Sequence, residues 1–111
     1  MNRKIAAMAV AAAAMSIGGV TAEAGAFADG NFLYAKCLAG ADLCLGYALG
    51  IADVLASGSA VNGLTACFTA QMTGEQVRDV VKQFLAAHPQ SRHLGAAGLA
   101  AHALAQAFPC R

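Results

Sequence analysis

Three histidines, His88, His93 and His102, are the side chains of this chain best suited to bind a metal ion or transfer a proton. Successive histidines are separated by five and nine residues. Two ligands on one helix face need a separation of about three or four, so no two of them form such a pair. A zinc site would also need cysteine or carboxylate ligands, and the cysteines are better explained as disulfides. We therefore expect no metal and no cofactor.

The serines do not suggest a nucleophilic site. Ser57, Ser59 and Ser91 lie in turn-like stretches, and none sits in the strand-to-helix elbow that exposes a hydrolase serine. Nucleophilic catalysis also requires a base and an orienting group beside the nucleophile. We predict that the protein is not an enzyme and has no catalytic residues.

The N-terminus has the layout of a secretory signal peptide. Arg3 and Lys4 precede an apolar stretch of thirteen residues, 5–17, and small residues follow it. A membrane span needs roughly twenty apolar residues, so this stretch is too short, and we expect no membrane insertion after cleavage.

Small residues allow cleavage after Ala24, with Ala26 or Ala28 as alternatives. We take residues 1–24 as the signal peptide and residues 25–111 as the mature domain. The predicted location is the periplasm.

The mature part carries no net charge. Its five basic residues balance its five acidic ones. They are Lys36, Arg78, Lys82, Arg92 and Arg111 against Asp29, Asp42, Asp53, Glu75 and Asp79. Binding of nucleic acid requires clustered lysine and arginine, so we exclude that class of partner.

All four cysteines, Cys37, Cys44, Cys67 and Cys110, lie in the mature part. An even number of cysteines in a short exported chain favours disulfides. A domain of this size buries only about 60 to 65% of its unfolded surface, so two covalent bridges would add needed stability.

The first half of the mature chain predicts two helices. Asp29 can cap a short helix that runs through Cys37, and the turn from Gly40 to Asp42 ends it and supplies the next cap. The second helix, residues 43–56, is apolar nearly all round. This pattern is typical of a central, buried helix.

One side of the second helix carries Gly46, Gly50 and Asp53. Glycine inside a helix costs about 1 kcal/mol relative to alanine, so we expect this strip to admit the close approach of another backbone. Two interpretations of Asp53 remain open: an exposed carboxylate, or a buried ion pair with Arg78, Arg92 or His93.

The second half predicts two further helices after a loop at residues 57–72. Thr73 and Gln76 have the spacing of a capping box. The apolar residues that follow lie on one helical arc: Val77, Val80, Val81, Phe84 and Leu85. The opposite arc is polar: Arg78, Asp79, Lys82 and Gln83.

Pro89 ends the third helix, and Ser91 can cap a final helix that runs from Leu94 to Phe108 and is closed by Pro109. A short connection makes the last two helices antiparallel. No alternating pattern predicts a sheet. The predicted fold is all-α, a small bundle of about four helices in one domain.

This geometry ranks the three possible disulfide pairings. In an antiparallel pair, Cys67 before the third helix lies beside Cys110 after the fourth. Cys37 and Cys44 flank the turn between the first two helices. We favour Cys67 with Cys110 and Cys37 with Cys44, while the other two pairings stay open.

Several segments together carry a family resemblance. They are C-L-G-Y from Cys44, M-T-G-E-Q-V-R-D-V-V from Met72, the H-P turn at His88, and A-F-P-C ending at Cys110. In this order, over nearly the whole mature chain, they resemble the Rap/Tai family of periplasmic immunity proteins.

The resemblance implies an all-helical, disulfide-bonded and often dimeric periplasmic protein. Such proteins bind a cell-wall amidase delivered by a type VI secretion system and block its active site sterically, without chemistry of their own. We predict that contacts to the amidase come from the polar turn and from the exposed face of the third helix: His88, Gln90, Arg92, Arg78, Asp79 and Lys82.

Other interpretations stay open. A family member without a cognate toxin would be a general periplasmic binding protein. A small acid-stress chaperone of the periplasm would share the helical, disulfide-linked outline. A carrier of an apolar ligand is less favoured, because the alanine and glycine content predicts close helix packing.

Overall fold

A computed structural model of the chain describes residues 26–111. The expected signal peptide, residues 1–24, lies outside the described residues. The described part folds into four α-helices: α1, Gly30–Leu38; α2, Asp42–Ala56; α3, Gly74–Ala87; and α4, Ala96–Ala107. A short 3₁₀ turn, Pro89–Ser91, connects α3 to α4, and these residues contain no β-strand. The predicted all-α fold of four helices is confirmed.

None of the helices in residues 26–111 is long and apolar enough to cross a membrane.

The helices pack around one core. Its largest fully buried side chains come from all four helices: Leu33, Cys44, Val81, Leu85 and Leu104.

The boundaries of α1 follow from local chemistry. The carboxylate of Asp29 accepts a hydrogen bond from Phe32 N–H at 2.8 Å, which caps the helix as predicted. Beyond its end, Gly40 adopts φ +69°, a left-handed conformation that glycine tolerates. The predicted cap of α2 is wrong, because Ala41 occupies the cap position and Asp42 is the first helical residue. There its negative charge still interacts favourably with the positive, N-terminal end of the helix dipole.

Helix α2 packs against the other three helices but buries only one side. The buried positions are Cys44, Ala48, Ala52 and Leu55, at helical spacing. The opposite side, with Gly46, Gly50 and Asp53, is exposed. The prediction of a wholly buried helix is therefore wrong, since its three neighbouring helices all pack on one side of it.

The glycine strip of α2 meets no other backbone among the described residues. A Cβ built on Gly46 or Gly50 would have no neighbour within 4 Å. Close approach occurs instead at Gly30, where a Cβ would lie 2.5 Å from Leu99 Cδ1 and 2.9 Å from the Arg92 carbonyl oxygen. The start of α1 thus depends on glycine for packing.

Helix α3 begins as predicted. Gln76 N–H donates to the Thr73 hydroxyl oxygen at 3.2 Å, and Thr73 N–H donates to the Gln76 side-chain oxygen at 2.9 Å. These reciprocal bonds complete the capping box. Val77, Val81 and Leu85 are buried on the inner face.

Helix α4 begins five residues later than Ser91. Ser91 belongs to the 3₁₀ turn, and Gly95 precedes the first helical residue, Ala96, without a side-chain cap. Backbone bonds to the start of α1 replace the predicted cap: Ala96 N–H donates to Ala28 O at 2.9 Å, and Gly30 N–H donates to Leu94 O at 2.9 Å. These long-range bonds hold the connecting segment extended, so the prediction of a Ser91 cap is wrong.

Both favoured disulfides are present. Cys37 pairs with Cys44, with Cα atoms 4.9 Å apart, and Cys67 pairs with Cys110 at 5.1 Å. Cys67 N–H also donates to Phe108 O at 2.8 Å. The segment before α3 therefore lies against the end of α4, as an antiparallel pair requires.

The loop between α2 and α3 contains a tight turn. Val61 and Leu64 exchange backbone hydrogen bonds of 3.0 and 2.9 Å across Asn62 and Gly63, which have φ 51° and 76°. An Asn-Gly pair favours this two-residue turn. The Asn62 side chain reaches α4, because a Cβ built on Gly98 would lie 2.6 Å from Asn62 Nδ2.

Candidate partner-binding surface

The turn after α3 is held by its own helix. His88 Nδ1 lies 2.8 Å from Phe84 O, and its ring stacks on the Phe84 ring with centroids 4.0 Å apart. Pro89 then starts the 3₁₀ turn. Gln90, at the middle of that turn, is exposed. The turn therefore presents a fixed backbone with a free polar side chain.

Arg92 ties this turn to two helices. Its guanidinium Nη1 donates to Leu85 O on α3 at 2.9 Å, and its Cζ lies over the Tyr34 ring of α1, 4.3 Å from the centroid. Its backbone carbonyl accepts from Asn31 N–H at 2.8 Å. The Nε atom is buried without a hydrogen-bond partner. Arg92 therefore anchors the turn to α1 and α3, a role that its position in the sequence did not indicate.

The outer face of α3 carries the other predicted contact residues. Arg78 Nε lies 3.0 Å from the Asp79 carboxylate, with side chains 33% and 53% exposed. Within residues 26–111 this is the one ion pair. Lys82 is partly exposed one turn further along. Asp53 of α2 is the exposed carboxylate, not a partner of Arg78, Arg92 or His93 in the described part.

The six predicted contact residues form two patches, not one. Arg78, Asp79 and Lys82 lie in the first two-thirds of α3, whereas His88, Gln90 and Arg92 follow its C-terminal end. The first patch thus lies on α3 itself, and the second lies in the turn that follows it.

A groove next to the turn was not predicted. Its volume is about 1150 Å³, and its walls come from the start of α1, the start of α4, the Asn-Gly turn and Tyr47 of α2. Three exposed apolar side chains line it: Phe27, Phe32 and Leu94, the last two 45% and 46% exposed. His93 lies at its edge beside Arg92.

Tyr47 of α2 is one of the residues that line this groove. Burial raises the pKa of the Tyr47 hydroxyl above its ordinary value of 10.0. The hydroxyl therefore stays protonated, and can donate a hydrogen bond, at any physiological pH.

The histidines do not gather around a metal site. His88 and His102 both contact the Phe84 ring, with centroids 4.0 and 5.3 Å away, and His93 and His102 both line the groove. In residues 26–111 no group of three or more histidine, cysteine or acidic residues could hold an ion. All four cysteines are in disulfides. What the surface offers is exposed charge, a rigid turn and apolar area, which are the components of a protein-binding surface.

Comparison with known proteins gives one match. A family model described as Rap1a immunity proteins matches residues 29–110. The match includes all four helices and all four cysteines. Searches of curated proteins and of solved structures found no match.

Proposed function

The chain belongs to the Rap1a immunity protein family, and from this premise we propose that it acts in the periplasm by binding a toxic cell-wall amidase delivered by a type VI secretion system. The observation that carries the proposal is the family match over residues 29–110. The two disulfides fit an oxidising compartment such as the periplasm. As an immunity protein it binds a toxic effector, and we propose that this effector is an amidase.

The mechanism we propose is steric. The protein covers the cleft of the amidase so that peptidoglycan cannot enter, and it performs no chemistry. A surface that is already rigid loses little entropy on docking. Here the disulfides, the bond from Arg92 to Leu85 O and the stacked His88 ring supply that rigidity.

Contacts are proposed at both patches, the one on α3 and the one in the turn after it. Charged groups in an interface set the association rate and the choice of partner. Exposed ion pairs contribute only about 0 to 1 kcal/mol, so Arg78 and Asp79 can exchange their mutual contact for contacts with the amidase at little cost. Lys82 and Gln90 are also available for contacts with the amidase, and Arg92 positions the turn.

The groove supplies apolar area beside the turn. Leu94 is 46% exposed and lies two residues after the predicted contact residue Arg92. Exposed apolar clusters with polar edges mark interaction sites on otherwise polar surfaces. We include Leu94 in the proposed contact surface for this reason.

We also propose a homodimer, which the family resemblance implies. The exposed side of α2 carries Leu43 and Val54, each 42% exposed, next to the bare backbone of Gly46 and Gly50. A second copy could approach this side closely. Sedimentation equilibrium of the oxidised protein tests the point, because a mass of one chain at all concentrations would rule the dimer out.

The decisive experiment is a pull-down from extracts of the source bacterium with the oxidised mature protein as bait, followed by an amidase assay of the protein that is captured. We expect a stoichiometric complex and loss of peptidoglycan hydrolysis. Cells with the amidase in the periplasm should survive only when they also export this protein. Capture of no partner would favour a family member without a toxin, and capture of many unfolded proteins at acid pH alone would favour a chaperone.

Contact residues are tested by reversing charge in one patch and introducing charge in the other. The double change Arg78→Glu and Lys82→Glu, and separately Gln90→Glu with Leu94→Glu, should each weaken the complex by roughly tenfold or more. The matched control is Lys36→Glu on α1, which makes the same kind of charge change away from both patches. Unchanged affinity in both test variants would place the contact surface elsewhere.

A further inference from the structure

The two disulfides differ in their access to solvent. Cys37 and Cys44 are 2% and 1% exposed, within the core between α1 and α2. Cys67 and Cys110 are both exposed. Thiol–disulfide exchange requires a thiolate to reach a sulfur atom. In the folded protein only the Cys67–Cys110 bridge meets that requirement.

A hollow of about 480 Å³ adjoins the exposed bridge. Both cysteines line it together with Leu55, Ala56, Ala66 and Phe68, and no charged side chain contributes to its walls. An incoming protein can therefore place a small apolar surface in the hollow while its thiolate approaches the sulfurs.

We propose that the Cys67–Cys110 bridge and this hollow form a thiol–disulfide exchange site for a dithiol oxidoreductase. One thiolate of the dithiol attacks a sulfur of the bridge, the S–S bond breaks, and a mixed disulfide forms. The displaced cysteine leaves as a thiolate and takes a proton. The second thiol of the reductant, as its thiolate, then releases the other cysteine. The chain gains two electrons and two protons, and the dithiol becomes a disulfide.

Exchange at this site leaves the helical core in place. The bond from Cys67 N–H to Phe108 O and the contact of the Phe68 and Phe108 rings, 5.3 Å apart, do not depend on the bridge. The buried Cys37–Cys44 bridge stays closed. What is lost is the covalent anchor of residues 57–72, which lead directly into α3. If the proposed function holds, exchange frees the segment that leads into the contact residues Arg78 and Lys82, while α3 itself stays packed; the exchange itself does not depend on that function.

The test uses the oxidised mature protein under conditions where it is folded. It is incubated with dithiothreitol, samples are alkylated at intervals, and modified cysteines are identified by peptide mass. We expect Cys67 and Cys110 to be modified roughly tenfold faster than the buried pair, or more, because the latter needs local opening first. Circular dichroism should show retained helix after the first bridge opens. Equal rates for the two bridges, or faster modification of Cys37 and Cys44, would overturn the proposal.

The hollow is tested with a protein reductant. With reduced thioredoxin as the probe, Ala56→Trp should fill the hollow and slow opening of the exposed bridge by roughly fivefold, while the rate with dithiothreitol stays within about twofold. The control is Ala60→Trp, an exposed position in the same loop outside the hollow. It should change neither rate. If Ala56→Trp also leaves the thioredoxin rate unchanged, the hollow has no part in the site.

Discussion

Replacement of Arg92 by alanine tests whether the contacts of this side chain with α1 and α3 stabilise the folded protein. The change removes the hydrogen bond from the guanidinium to Leu85 O and the stacking of the guanidinium on Tyr34. The backbone bond from Asn31 to the residue 92 carbonyl remains. Leu85 O also keeps a partner, because His88 N–H lies 3.3 Å from it. The change therefore removes side-chain contacts without leaving an unpaired carbonyl.

The magnitude follows from three contributions. A hydrogen bond from a charged donor stabilises by about 1.5 to 3 kcal/mol, and a cation–π contact by about 0.5 to 2 kcal/mol. Against these, the buried and unpaired Nε costs about 1 to 3 kcal/mol. The free energy of unfolding should thus fall by about 1 to 2 kcal/mol in Arg92→Ala.

Urea unfolding of the oxidised protein, followed by circular dichroism, measures this difference. Arg78→Ala is the control, since its exposed ion pair should contribute less than about 0.5 kcal/mol. A double-mutant cycle with Tyr34→Leu should give a coupling of about 0.5 to 1 kcal/mol. If Arg92→Ala and Arg78→Ala have equal stability and the cycle shows no coupling, Arg92 does not hold the turn.

Three further predictions concern packing, capping and protonation. Gly30→Ala should lower the free energy of unfolding by about 1 to 3 kcal/mol because its Cβ meets backbone, whereas Gly50→Ala should raise it by up to about 1 kcal/mol; equal effects in thermal unfolding would contradict the packing. Thr73→Ala should cost about 1 kcal/mol through loss of the cap and speed amide hydrogen exchange in the first turn of α3. Because the pKa of Tyr47 is raised by burial, the unfolded chain loses this proton first. The stabilising contribution of the protonated Tyr47 hydroxyl is therefore complete below pH 10, and it is lost as the pH rises through the pKa of Tyr47 in the folded protein. Titration by ultraviolet absorbance should show a late tyrosine that disappears in Tyr47→Phe, and no difference between the two proteins would refute the effect.

Features that depend on neighbouring residues were predictable from the chain alone. The Thr73 capping box, the Asp29 cap and the inner face of α3 at Val77 and Val81 follow from side chains within one or two helical turns. The disulfide pairing followed from them, because an antiparallel pair places Cys67 near the end of α4. The family resemblance drew on the same local segments.

Other features required the assembled bundle. The carboxylate of Asp53 is exposed and the glycines of α2 face outward because the other three helices cover only one side of that helix. The contact of Arg92 with Tyr34 joins side chains far apart in sequence.

By itself the sequence determined the helical class, the caps of α1 and α3, and the family, since each of these depends on residues close together in the chain or on the order of short segments. It favoured the cysteine pairing through the antiparallel arrangement of the last two helices. The tertiary structure alone decided that α4 begins at Ala96 and that Phe32 and Leu94 line one groove. Both result from backbone hydrogen bonds between the start of α1 and residues 92–96. Such bonds join segments more than sixty residues apart, and no local pattern in either segment specifies its partner.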